Sequence, residues 1–231
     1  MTILAATRPP IETQAVAMVS PTLKQPLTDH ALDEPLWRIS VARYHQMIKA
    51  GILTDDDPVE LLEGLLVQKM PKNPAHIYAT GLLLDNLPRL IPAGWYLNFQ
   101  EPVTTANSEP EPDVAVIRGR RFDYRERLAG PEDTALVMEV ADATLRRDRG
   151  LKKRLYARAG VPVYWIINLV KSQIEVYTEP DQQSVPPDYR LRRLYREGDR
   201  IPIVLDGTEV GQILVSDILP LPTANKNEGA L

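Results

Sequence analysis

Three short apolar runs near the middle of the chain restrict its fold more than any other feature. Residues 112–117, 135–141 and 163–167 are rich in Val, Ile and aromatic side chains and read as strands. Between the second and third lies a basic segment, residues 146–159, with the composition of a helix. Residues 135–167 therefore form a candidate strand–helix–strand crossover, which in a parallel pair is right-handed. Two acids interrupt or end these runs. Asp113 sits at the start of the first and Glu139 near the end of the second. A carboxylate buried among such side chains is costly unless something compensates it.

The flanking segments predict one α/β domain, a mixed sheet flanked by helices. Ser40 caps a helix over 41–50 whose inner face carries Val41, Tyr44, Met47 and Ile48, with Gly51 closing it. Residues 55–58 are a turn, and 59–67 fold back on themselves around Gly64. The three aspartates Asp55, Asp56 and Asp57 lack the spacing of a calcium loop. Asn73 and Pro74 begin a second helix that runs to about Leu87, where Pro88 disturbs it. Residues 95–100 and 102–105 are strand candidates, as are 173–177, expected at a sheet edge, 189–195 and 201–205. Tyr164 and Trp165 are expected in the core. Residues 1–36 carry prolines without a hydrophobic period and read as an arm, 37–221 as the folded domain, and 222–231 as a tail.

With 231 residues the chain is long enough for a substantial core. The absence of cysteine removes thiolate chemistry, disulfides and cysteine-held metals. No apolar run is long enough to span a bilayer, and the N-terminus lacks a basic start. The expected setting is cytoplasmic, with no membrane partner. His30 and His45 have no ligand spacing to anything. A net charge of −4 gives no general attraction to nucleic acid, so phosphate binding would have to come from local clusters. Arg146, Arg147, Arg149, Lys152, Lys153, Arg154 and Arg158 make the central helix such a cluster. Five arginines between Arg118 and Arg127, with Arg190, Arg192 and Arg193, add others. Each is equally readable as a solvated face.

Asp113, Glu139 and Lys152 can be read as a divalent-metal phosphodiesterase site. Magnesium or manganese prefers oxygen ligands, commonly one or two carboxylates completed by water and substrate phosphate. A cation would keep two neighbouring acids ionised, and a lysine could offset charge building on phosphate. Asp148 is expected to cap the helix, because Gly150 inside a longer one would cost about 1 kcal/mol. Lys152 then lies in the first turns, with Tyr156 on its face. Spacing alone leaves open an ordinary surface pair of Asp148 with Lys152 and two structural acids.

Pro112-Asp113, Glu139-Val140-Ala141, Asp148 to Lys152 with Tyr156, and Gly160 to Trp165 together resemble the Uma-type family of restriction-endonuclease-like proteins, within the PD-(D/E)-x-K nuclease superfamily. The similarity extends upstream through Glu60 to Gly64 and His76. The resemblance implies a restriction-endonuclease-like mixed sheet and a Mg2+- or Mn2+-dependent endonuclease acting on DNA. It makes Asp113, Glu139 and the Val140 carbonyl metal ligands, and Glu60 an additional acid. His76, Asp148 and Tyr156 stand behind them, and a homodimer would supply two sites for two strands. In the superfamily a lysine follows the acid by two positions, where this chain has Ala141; Lys152 stands in for it. That departure keeps open a non-catalytic nucleic-acid-binding or protein-interaction module on the same fold.

Overall fold

A computed structural model describes residues 35–219. The expectations for the tail at 222–231, and for all of the arm except residues 35 and 36, lie outside the described residues.

The first elements are helix α1 (Val41–Lys49) and the hairpin β1 (Val59–Leu62) and β2 (Leu65–Gln68). Ser40 caps α1 by accepting a bond from the Arg43 N–H. Of the face predicted for α1, only Tyr44 is buried; Ile48 is exposed, so the inner face is narrower than its apolar spacing implied. The hairpin turns at Glu63 and Gly64, both at positive φ, the pairing whose twist matches antiparallel strands. A Cβ on Gly64 would fall 2.8 Å from that of Arg38, so the turn requires glycine twice over.

Helix α2 (Pro74–Asn86) follows, capped by the Asn73 side chain, with proline in its first turn where no N–H is needed. A six-stranded sheet then runs β3-β4-β5-β6-β7-β8. Its strands are β3 (Trp95–Phe99), β4 (Val114–Arg118), β5 (Thr134–Ala141), β6 (Val163–Asn168), β7 (Gln173–Asp181) and β8 (Asp188–Tyr195). Only β5 and β6 pair in parallel; the expected crossover joins them. Residues 102–105 are not a strand: Val103 makes one isolated bridge to Ala129. Nor is β7 an edge. It is covered by β8, and residues 173–177 are buried on both faces. A second hairpin, β9 (Arg200–Leu205) and β10 (Thr208–Leu214), closes the described chain.

Side chains alternate across β5, and all eight of its residues are buried. Leu136, Met138 and Val140 face α2 and the β9–β10 hairpin, in one core with Leu83, Leu87, Trp165 and Ile203. Val137 and Ala141 face the other way, in a second core with Leu155, Tyr156, Tyr164 and Tyr177. Glu139 belongs by alternation to this second face.

The helical crossover differs from expectation. It begins as α3 (Leu145–Arg147), passes through a wide turn at Asp148–Lys152, and continues as α4 (Lys153–Ala159). Asp148 is not its cap. Its backbone is helical, φ −68° and ψ −40°, and its carbonyl accepts from Lys153 five residues on. Gly150 is accommodated inside this turn rather than excluded from the helix, so Lys152 lies mid-helix instead of in a first turn. Gly160 ends α4 in a left-handed conformation, and the Val161 N–H returns to the Tyr156 carbonyl.

Candidate active site

One cleft opens where the β1–β2 hairpin, the start of α2, the ends of β4 and β5, and the wide turn converge. Glu60, His76, Asp113, Glu139, Val140, Asp148 and Lys152 all line it. The sequence had placed every one of them in a single candidate site. Tyr156 lies beneath it.

Asp113 stands just before β4. Its Oδ2 accepts from the Val140 N–H at 2.8 Å and lies 3.1 Å from His76 Nε2. With its proton on Nε2, His76 donates to that oxygen. The capped start of α2 fixes His76, whose own N–H reaches Asn73 Oδ1 at 2.9 Å. Ladder pairing between β4 and β5 ends at Val114 and Met138, so the Asp113 side chain continues the ladder in place of backbone. A strand residue directs its N–H and C=O to the same side. The Val140 carbonyl therefore leaves β5 on the side of Asp113.

Glu139 points to the second-core face of β5, where Lys152 Nζ and the Tyr156 hydroxyl both donate to its Oε1 at 2.9 Å. Lys152 also lies 3.4 Å from Glu60 Oε2, and Arg147 Nη1 lies 3.8 Å from Glu60 Oε1. Position 141, where the sequence resemblance would put a lysine, is a buried alanine on the same face as Glu139. The helix covering that face brings Lys152 to Glu139. Asp148 and Lys152 are 1% and 4% exposed, which excludes the surface-pair reading.

Burial pushes the Glu139 carboxyl above the usual carboxylate range, against the attraction of Lys152 and helped by Asp148, Asp113 and Glu60. For Lys152, burial alone would expel the proton. The surrounding Glu139, Glu60 and Asp148 outweigh it and hold the ammonium above the ordinary lysine range. Burial likewise raises Asp148, and its Oδ2 is buried without a hydrogen-bond partner. Burial and the nearby Glu139 raise Tyr156 well above a normal phenol, so it serves as a donor.

This donor set fits a hard divalent cation: two carboxylates and a main-chain carbonyl, all oxygen, in one cleft. Among the described residues no three His, Asp or Glu side chains already form a cage. Magnesium does not require one, since it keeps several waters and takes substrate oxygens. Two polar pairs in the cleft were not among the candidate site residues. Lys69 pairs with Glu111 at 2.6 Å, and Asn73 donates to Asp142. Lys69 follows β2 and Glu111 precedes β4, so closeness to Glu60 and Asp113 in the chain was the available signal.

A sequence model of the Uma2 family, described as "Putative restriction endonuclease", matches residues 41–211. The chain belongs to this family. The Uma2 match covers the first hairpin, the whole six-stranded sheet, β9, the start of β10 and every candidate site residue. The fold is similar to that of a crystal structure described as a putative nuclease belonging to DUF820 from Anabaena variabilis ATCC 29413. The likeness has a TM-score of 0.57 at 14% identity, over 78% of this chain and 97% of that one. At that identity it is a likeness of fold. None of the curated proteins matches the chain. Among the described residues, no helix of this Uma2 protein is long and apolar enough to cross a membrane.

Proposed function

We propose that this chain is a Mg2+- or Mn2+-dependent endonuclease that hydrolyses phosphodiester bonds in DNA. The observation that carries the reading is the buried Lys152 ammonium held between Glu139 and Glu60 at the floor of a cleft that also contains Asp113. Asp113, Glu139 and the Val140 carbonyl would hold the metal. When bound, the cation supplies Lewis acidity and a more acidic bound water. The rest is the work of the chain. His76 and the Val140 N–H hold Oδ2 of Asp113, leaving Oδ1 outside those bonds. Tyr156 fixes Glu139. An ammonium has three donors, so Lys152 has one left after Glu139 and Glu60 to meet a phosphate oxygen. Water adds at phosphorus, the bond to the leaving oxygen breaks, and the products are a phosphomonoester and an alcohol. Cutting both strands of a duplex takes two such sites, so the reading includes a homodimer.

Supercoiled DNA incubated with Mg2+ or Mn2+ tests this. Asp113→Asn and Glu139→Gln are expected to nick at least about 100-fold more slowly than the wild type, the scale on which lost transition-state electrostatics is felt. Both variants must keep the wild-type circular dichroism spectrum. Equal nicking by all three proteins removes the assignment. One observation favours a second reading, a nucleic-acid-binding protein without catalysis: Lys152 is bonded to the very carboxylate that would hold the metal. Metal-independent DNA binding by a folded wild type that cuts no substrate is its signature.

A further inference from the structure

The wide turn presents two faces. Asp148 and Lys152 enter the cleft, while their chain neighbours Arg149 and Lys153 turn to the other side of the helix, toward β7 and β8. From the cleft outward the cationic side chains are continuous. Arg147 lines both the cleft and an adjoining hollow; Arg146 lines that hollow and the next; Arg149 lines this third hollow and a fourth. The fourth, beside β8, is walled by Arg149, Lys171, Arg192 and Arg196. Neighbouring hollows share a wall, so the strip is unbroken.

We infer that this strip from Arg147 to Arg196 is a docking track for the phosphodiester backbone of the nucleic acid on one side of the cut, an inference that rests on the nuclease reading. Two features make it more than a solvated helix face. First, the chain as a whole carries −4, whereas the three hollows beyond the cleft are lined by cations and by no acidic side chain. Second, the strip has a built foundation. Glu175 is fully buried and accepts from both Arg149 and Arg192, fixing two guanidinium groups whose remaining N–H donors face outward. Arg146, Lys171 and Arg196 have no acidic partner among the described residues. Arginines on β8 alone would be explained by protection of a sheet edge. That account leaves Arg146, on the far side of the helix, unexplained. A helix is about 10 Å across, which at about 3.4 Å per phosphate along one strand spans about three phosphates. Such contacts set register and affinity without reading sequence.

The test is binding of a short fluorescein-labelled DNA duplex, followed by anisotropy in EDTA over a series of salt concentrations. The triple variant Arg146→Ala/Lys171→Ala/Arg196→Ala removes three exposed charges that anchor nothing. The control Arg43→Ala/Lys49→Ala/Arg89→Ala removes the same charge from exposed positions outside the strip. The strip variant is expected to lose affinity, with its log–log salt slope reduced by about 0.9 for each phosphate contact removed, and the control to match the wild type. An unchanged slope in the strip variant, or an equal loss in the control, overturns the track. The nuclease reading is judged separately by nicking with Mg2+. Metal-dependent nicking abolished by Asp113→Asn, with a strip variant that binds normally, sinks the track alone. A strip-dependent slope in a protein that never nicks keeps the track and sinks the nuclease.

Discussion

Lys152 is the residue on which structure and chemistry most directly conflict. It neutralises Glu139 and Glu60 in a buried setting, so removing it does more than delete a catalytic group. Lys152→Met leaves Glu139 without its cation, with Asp148 and Glu60 nearby, and is expected to lose about 3–5 kcal/mol of stability in urea unfolding. The double variant Glu139→Gln/Lys152→Met removes both charges and should recover a large part of that loss. Equal instability of single and double variants would show that the pair is not coupled. A cleavage assay on Lys152→Met alone is therefore ambiguous, and Glu139→Gln is the cleaner test of chemistry. The acids and the lysine were legible in the sequence because each stands out against its surroundings. Glu139 interrupts an apolar run, and Lys152 shares a helical face with Tyr156. Their burial was not legible, since it depends on a hairpin nearly 80 residues earlier in the chain folding Glu60 against them.

At the scale of elements, the wide turn is what sequence rules misjudged. Glycine is costly inside an α-helix, so Gly150 argued for a helix starting at Asp148; the chain instead spends that residue within a continuous helical segment. A long-range contact accounts for it: the Tyr164 hydroxyl on β6 donates to the Asp148 carbonyl at 3.1 Å. The turn is thus held from the sheet, by a partner that no local window contains. Gly150 has ordinary helical φ, and a Cβ there would meet nothing within 4 Å. Gly150→Ala is therefore expected to raise stability by about 0.5–1 kcal/mol, measured as an upward shift in thermal midpoint with DNA binding intact. A loss of stability would mean that the wide turn itself needs glycine. Elsewhere the local signals were sufficient: Asn73-Pro74 gave the start of α2, and the strand–helix–strand pattern gave the parallel pair. β10 went unassigned, although Asp206-Gly207 between two apolar stretches is a hairpin turn signal, and both residues have positive φ.

For the molecule as a whole, the two ends of the basic strip depend on different buried acids, Glu60 beneath Arg147 and Glu175 beneath Arg149 and Arg192. The sequence placed Glu175 on an edge strand, where an acid is unremarkable. The covering strand β8 converts it into a fully buried group on the face it shares with Tyr177. Burial alone would raise its carboxyl. Bonds from Arg149, from Asn168 Nδ2 at 2.7 Å and from the Tyr177 hydroxyl at 2.7 Å, with the charge of Arg192, outweigh burial and hold it down at about 2. A folded-state value below the unfolded one, near 4.5, stabilises the fold at every pH above 4.5. That contribution is lost as pH falls from 4.5 through about 2, and a shift of this size corresponds to about 3 kcal/mol. Glu175→Gln has no such titration. Although less stable than the wild type at neutral pH, with two guanidinium groups left unneutralised, it should show a flatter fall in stability between pH 5 and pH 2. Urea midpoints for both proteins across that interval measure the difference. Parallel curves would mean that Glu175 is not held ionised by the arginines above it, and the foundation assigned to the outer half of the strip would go with it.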